Sequence, residues 1–159
     1  MIFITLGSQK FQFNRLLKAV DELVENGTVT DEVFAQVGCS DYQPKHYRYR
    51  DFLDREAFAE EMGKSDIVIT HGGTGAIIGA VKQGKKVIAV PRLAKYGEHV
   101  DDHQLQLVEQ FRELELICRC DDCADLANAL ETVKNTEYKA YVSNTQTIID
   151  SIERFIETL

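Results

Sequence analysis

Between Asp66 and Gln104 the chain reads DIVITHGGTGAIIGAVKQGKKVIAVPRLAKYGEHVDDHQ. An apolar run at 67–69 ends at Thr70-His71, glycines follow at Gly72, Gly73 and Gly75, and a helical pattern starts at Thr74. A second apolar run at 87–90 and a polar loop complete the segment. Strand, glycine turn, helix and strand in this order predict a parallel β-α-β unit. The turn also collects backbone amides at a helix N-terminus, where unpaired N–H groups and the helix dipole favour an anion such as a phosphate. Glycines in such a turn also have a plainer use, as backbone geometry alone, and the spacing is compatible with both.

The same alternation extends outward in both directions. Residues 2–6 form a buried-strand run ending at Gly7-Ser8, and Phe13, Leu16, Leu17, Val20, Leu23 and Val24 then recur at helical spacing. A strand is predicted at 33–37, a short alternating strand within 47–53, and a helix at 54–62 capped by Asp54, with Glu56 in its first turn. Helix 102–114, strand 116–118 and helix 123–133 follow, and a last helix is expected over about 139–158. On that helix Tyr141, Thr145, Ile148, Ile149, Ile152, Phe155, Ile156 and Leu159 share one side, either packed on the chain's own core or offered to another polypeptide. The pattern predicts a single α/β domain over 1–159: a Rossmann-like parallel sheet with helices on both faces. Such a sheet binds ligands at the carboxyl ends of its strands, so the Gly7-Ser8 turn and the His71-Gly72-Gly73 turn are expected to border one crevice.

Composition narrows the function. With 159 residues, 44% of them hydrophobic, the chain can bury a real core. A formal charge of −8 disfavours nucleic acid and anionic membrane surfaces, although a small anion can still be held by local amides. Lys45-His46-Tyr47-Arg48-Tyr49-Arg50 alternates with strand period and reads as a solvated strand face. No apolar run has the roughly 20 residues of a membrane span, and residues 1–6 lack the features of a signal peptide, so a cytoplasmic protein is expected. Cys118, Cys120 and Cys123 form C-x-C-x-x-C with no histidine nearby, which suits packed, reduced thiols better than a closed zinc site.

Three look-alike motifs fail on spacing or context. Gly73, Gly75 and Gly79 give G-x-G-x-x-x-G, one residue longer than the dinucleotide fingerprint, and the next strand ends at Pro91-Arg92 without an acidic residue for a ribose. Gly79 to Lys86 reads G-x-x-x-x-G-K-K, but it lacks the magnesium-binding Ser/Thr and precedes a strand. None of Ser8, Ser40, Ser65, Ser143 and Ser151 sits in a nucleophile elbow.

Taken together, THGGTGAIIGAVKQGKKVIAVP and the later EHVDDHQ resemble the C-terminal, donor-binding half of GT-B glycosyltransferases of family 28. Leu6-Gly7-Ser8-Gln9-Lys10 resembles the turn that opens that half, and Asp51-Phe52-Leu53-Asp54 its uracil-contacting segment. The short catalytic subunits of two-part transferases are most similar, both the eukaryotic subunit adding the second GlcNAc to dolichol and bacterial capsule or exopolysaccharide subunits; EHVDDHQ favours the bacterial group. The resemblance implies one half of a GT-B fold that binds a UDP-sugar as donor substrate, with no cofactor and no bound metal. Uracil would pair with backbone near Phe52 and Leu53, and the diphosphate would rest on Gly72, Gly73, Thr74 and Gly75, with Gly7 and Ser8 across the crevice. His71 would stabilise the leaving phosphate as the catalytic residue of this chain, and His103 and Gln104 would hydrogen-bond the donor sugar. Relatives often carry an acidic residue, gripping the ribose, where this chain has Gly79.

A complete GT-B enzyme needs a second Rossmann-like domain, beyond the room in 159 residues. The implied activity is therefore hexose transfer to a lipid-linked saccharide acceptor, together with a membrane-anchored partner that recruits the chain to the inner face of the membrane and supplies the general base. Glu98, Asp101 and Asp102 are the acidic alternatives for that base within the chain. Two other readings fit the same residues: a non-catalytic nucleotide-binding enhancer of a partner transferase, and, less well because half of the site would be missing, a sugar-nucleotide epimerase.

Overall fold

A computed structural model describes residues 1–7, 10–142 and 145–157. Six strands, β1 (Ile2–Thr5), β2 (Val33–Gln36), β3 (Arg48–Arg50), β4 (Ile67–His71), β5 (Lys86–Val90) and β6 (Cys118–Arg119), form one sheet in the order β3-β2-β1-β4-β5-β6. Every pairing is parallel; β2 and β3 are joined by the loop 37–47 and the other consecutive strands through helices. The helices are α1 (Asn14–Glu25), α2 (Arg55–Lys64), α3 (Thr74–Lys82), α4 (His103–Glu113), α5 (Leu126–Lys134) and α6 (Thr145–Glu157). The order is that of the Rossmann fold, with its reversal between β1 and β4.

Strand alternation divides the core in two. Ile2, Ile4, Ile67, Ile69, Ile88 and Val90 face Leu16, Leu17 and Val20 of α1 and Leu126, Leu130 and Val133 of α5. Phe3, Phe34, Val68, Val87 and Ala89 face Met62 of α2, Ile77 and Val81 of α3, Val108 and Phe111 of α4, and Ile149 of α6. Since both faces are covered, the central strands are apolar throughout, and each fully buried Ile or Phe contributes about 1.5–3 kcal/mol. The helix α2 starts as predicted, with Asp54 accepting the Ala57 N–H at 2.7 Å.

The last helix departs from expectation, beginning at Thr145 instead of about 139. The chain must first cross from the face covered by α5 to the face covered by α6. Residues 136–142 make that crossing without helix, pinned where Lys139 N–H meets the Glu115 carbonyl at 2.9 Å. Tyr141 therefore packs against the second core from this connector, with Lys82 Nζ 5.1 Å from its ring centroid. The helix α6 itself lies on α4, burying Ile149 and Ile156, while Ile148 and Phe155 remain exposed.

Candidate functional site

The carboxyl ends of β1 and β4 lie side by side, with Thr5 in register with Thr70. The chain leaves β1 at Gly7 with φ of +72°, a left-handed turn that favours glycine. A Cβ there would come within 2.7 Å of His71 Nε2, and one on Gly73 would overlap the same ring. The imidazole thus fills the gap between the two turns, and these glycines are fixed in part by the room it needs. Ser8, expected across this crevice, lies outside the described residues.

Gln104, from the first turn of α4, closes the gap from behind. Its Oε1 accepts the N–H of Gly72 at 3.0 Å and of Arg92 at 2.9 Å, tying the β4 turn to the segment leaving β5. With both lone pairs occupied, the amide turns its NH₂ toward His71 Nδ1, 3.3 Å away. Nδ1 is then the acceptor and the imidazole proton sits on Nε2, the edge facing Gly7. Burial, reinforced by the positive charge of Arg92, lowers the His71 pKa to about 3, so the ring is neutral at physiological pH. Gln104 itself is buried, with its Oε1 filled by two N–H groups and its NH₂ directed at His71. In this conformation it positions His71 and two loops.

Arg92 was read in the sequence only as the absence of an acidic strand tip, and its weight in the site is visible only in three dimensions. The residue is 1% exposed, and its guanidinium donates to the carbonyls of Leu6, Phe11, Gln12 and Glu98 at 2.6–3.3 Å, underpinning the loop that leaves β1. Burial pulls its pKa down to about 10, which leaves it a cation. Beside it the Glu98 carboxylate, wholly buried, accepts from Arg15 Nε and Nη2 at 3.1 Å and from Leu93 N–H at 3.1 Å. Both Glu98 oxygens are thus engaged within the chain, as a buried anchor for Arg15 and Leu93. Asp101 accepts the His103 N–H at 3.0 Å and Asp102 the Ala94 N–H at 2.9 Å, roles of helix entry. His103 opens α4 with its side chain half exposed, Nδ1 standing 3.6 Å from Asp101.

The helix α3 offers the contrasting glycines. Its N-cap is Gly73, with no side chain to cap the first amides and no acidic residue in the first turn. A Cβ on Gly75 or Gly79 would meet nothing within 4 Å among the described residues. Packing among the described residues therefore does not require these two to be glycine. They leave one side of α3 bare over a cavity of about 310 Å³ lined by Thr5, Gly7, Gln36, Phe58, Met62 and Gln83 as well. Toward β3, Gly38 lies against Gly7 and Phe52, which is exposed, while Leu53 donates its N–H to Gln36 Oε1 at 3.1 Å. The expected contacts at Phe52, His71, Thr74, Gly75 and His103 thus lie along one continuous rim at the carboxyl ends of β3, β2, β1, β4 and β5. Among the described residues no three His, Cys, Asp or Glu side chains gather as metal ligands.

Residues 1–159 match the glycosyltransferase family 28 C-terminal domain. The chain belongs to that family. It is 32% identical over 83 residues to the UDP-N-acetylglucosamine transferase subunit ALG13 of Candida glabrata, covering 52% of this chain and 40% of the relative. The human protein of that name is 27% identical over 131 residues, covering 70% of this chain and 10% of its own length. The chain thus spans less than half of either relative. Among solved structures, an NMR structure of ALG13 superposes with a TM-score of 0.61 at 20% identity over 98% of this chain and 94% of that one. Acinetobacter baumannii MurG gives 0.59 at 16% identity over 95% of this chain and 49% of its own. These likenesses show the GT-B half-domain fold. The curated relatives carry the eukaryotic subunit's name, so the bacterial capsule association rests on EHVDDHQ alone.

Proposed function

We propose that this chain is the donor-binding subunit of a glycosyltransferase that takes a UDP-sugar and transfers its hexose to a lipid-linked saccharide with a membrane-anchored partner. The observation that carries this reading is the uncapped N-terminus of α3, bare at Gly75 and Gly79, opening onto a cavity at the strand-order reversal. In this reading the diphosphate rests on the amides of Gly73, Thr74 and Gly75, the sugar extends toward His103, and the nucleoside follows α3 into the cavity. Gln104 holds the seat together from behind.

As the glycosidic bond breaks, negative charge grows on the leaving UDP. Fixed amides, the α3 dipole and the Nε2–H of a neutral His71 stabilise it without reorganising. Glu98 is locked, and Asp101 and Asp102 are engaged at the α4 entry, so the base that deprotonates the acceptor hydroxyl comes from the partner. The exposed apolar side of α6, with Ile148 and Phe155, is the face offered to that partner. Among the described residues no helix is long and apolar enough to cross a membrane, and membrane recruitment is accordingly assigned to the partner.

Titration calorimetry with UDP and several UDP-hexoses tests the donor site, because a ligand of the folded state also raises the melting temperature. No heat and no thermal shift at millimolar UDP would remove the reading. A purely enhancing role is favoured by one feature, the missing side chain at Gly79. Substantial turnover by the partner alone, with unchanged donor affinity and a lower rate than the pair, would establish that second role.

A further inference from the structure

Gln36 ends β2 on the same side as Phe34, in register with Thr5, and is 7% exposed. Its Oε1 accepts the Leu53 N–H at 3.1 Å, which fixes the plane and the sense of the carboxamide. The Nε2 end has no acceptor among the described residues, and the side chain lines the 310 Å³ cavity. A carboxamide with one end anchored and the other turned to an open cavity without an acceptor is a polar group oriented toward a ligand. Among the described residues no charged side chain lines this cavity, so it suits a neutral portion of that ligand. Along α3, Gly79 and Gln83 stand one and two turns below Gly75, roughly 6 and 12 Å at 1.5 Å per residue. That is the reach of a nucleoside from its phosphates.

We propose that Gln36 is the base-reading residue of the donor site, its Nε2–H donating to the C4 oxygen of uracil and so selecting uridine over cytidine. The inference rests on the donor reading above. The C4 position is the pyrimidine edge farthest from the ribose and meets the cavity floor first, whereas O2 lies beside the glycosidic bond. Uracil presents an acceptor at C4 and cytosine an amino donor, against which a fixed NH₂ is repulsive. The Leu53 N–H, the backbone donor in the segment that resembles a uracil contact, is already occupied by Gln36, and the free amide end takes over its part.

Gln36→Glu keeps an oxygen for Leu53 and replaces only the donor. Calorimetry at pH 8 should show the wild type preferring UDP to CDP by at least about tenfold. In Gln36→Glu, UDP should weaken by about ten- to a hundredfold and the UDP-to-CDP ratio should fall or invert. A wild-type measurement independent of folding uses 4-thio-UDP at about pH 6.5, which keeps the N3–H and exchanges only the C4 oxygen for sulfur, a weak acceptor, and should bind about tenfold more weakly than UDP. Equal affinity for that analogue, or an unchanged ratio in Gln36→Glu, overturns the assignment while leaving the donor site standing. Absence of UDP binding by the wild type overturns both.

Discussion

Gly75→Ala is expected to stabilise the chain and to weaken its hold on UDP at the same time. A Cβ at this position meets no atom of the described residues within 4 Å, and the backbone is already helical, so the substitution introduces no strain. Removing the entropy that glycine loses on folding is worth roughly 0.5–1 kcal/mol. For a domain of 159 residues this raises the melting temperature by about 1–4 °C. The new methyl stands over the amides of the first turn, where the diphosphate is seated, and should cost about tenfold in affinity, near 1.4 kcal/mol. Gly73→Ala provides the opposite sign. Its Cβ would overlap His71, whose ring is held by Gln104, and relieving that overlap should cost about 1–3 kcal/mol and several degrees. Differential scanning fluorimetry reads the first quantity and titration calorimetry the second. Undiminished UDP affinity in Gly75→Ala would refute the α3 N-terminus as the phosphate seat, and an unshifted melting temperature in Gly73→Ala would refute the packing account of that glycine.

Three further outcomes are expected. Gln104→Ala leaves the buried N–H groups of Gly72 and Arg92 without an acceptor, a loss of about 2–6 kcal/mol by urea titration, with UDP and UDP-sugar affinities falling together; a selective loss for the sugar nucleotide would instead show direct sugar contact. Because the folded His71 protonates near pH 3 and the unfolded histidine near the ordinary 6.5, its contribution is complete above pH 6.5 and is lost as pH falls from there toward 3. Between pH 7 and 5 the wild type should therefore lose about 2 kcal/mol more stability than His71→Gln, and equal losses in urea titrations would contradict the neutral, buried ring. Phe155→Asp should abolish copurification with the partner subunit while changing the melting temperature little, since Phe155 is 62% exposed; retained copurification would move the docking face elsewhere.

Local signals determined the elements and the location of the rim. The helix α3 was legible to the residue, because an apolar run, a glycine turn and helical spacing are all properties of neighbours in the chain. The carboxyl ends of β1 and β4 were legible as a shared crevice, because parallel order follows from the alternation of strands and helices. Tertiary contact decided what the individual residues do. Gln104 is a clamp because its amide meets His71, Gly72 and Arg92, which are 33, 32 and 12 positions away, and no local pattern encodes such a meeting. Arg92, Glu98 and Gln36 owe their roles to burial, which makes a polar side chain seek fixed partners and which the sequence expresses only through the whole fold. Even the glycines divide this way. One motif in the sequence became two kinds in space, with Gly73 small because His71 lies against it, and Gly75 and Gly79 small although nothing among the described residues requires it.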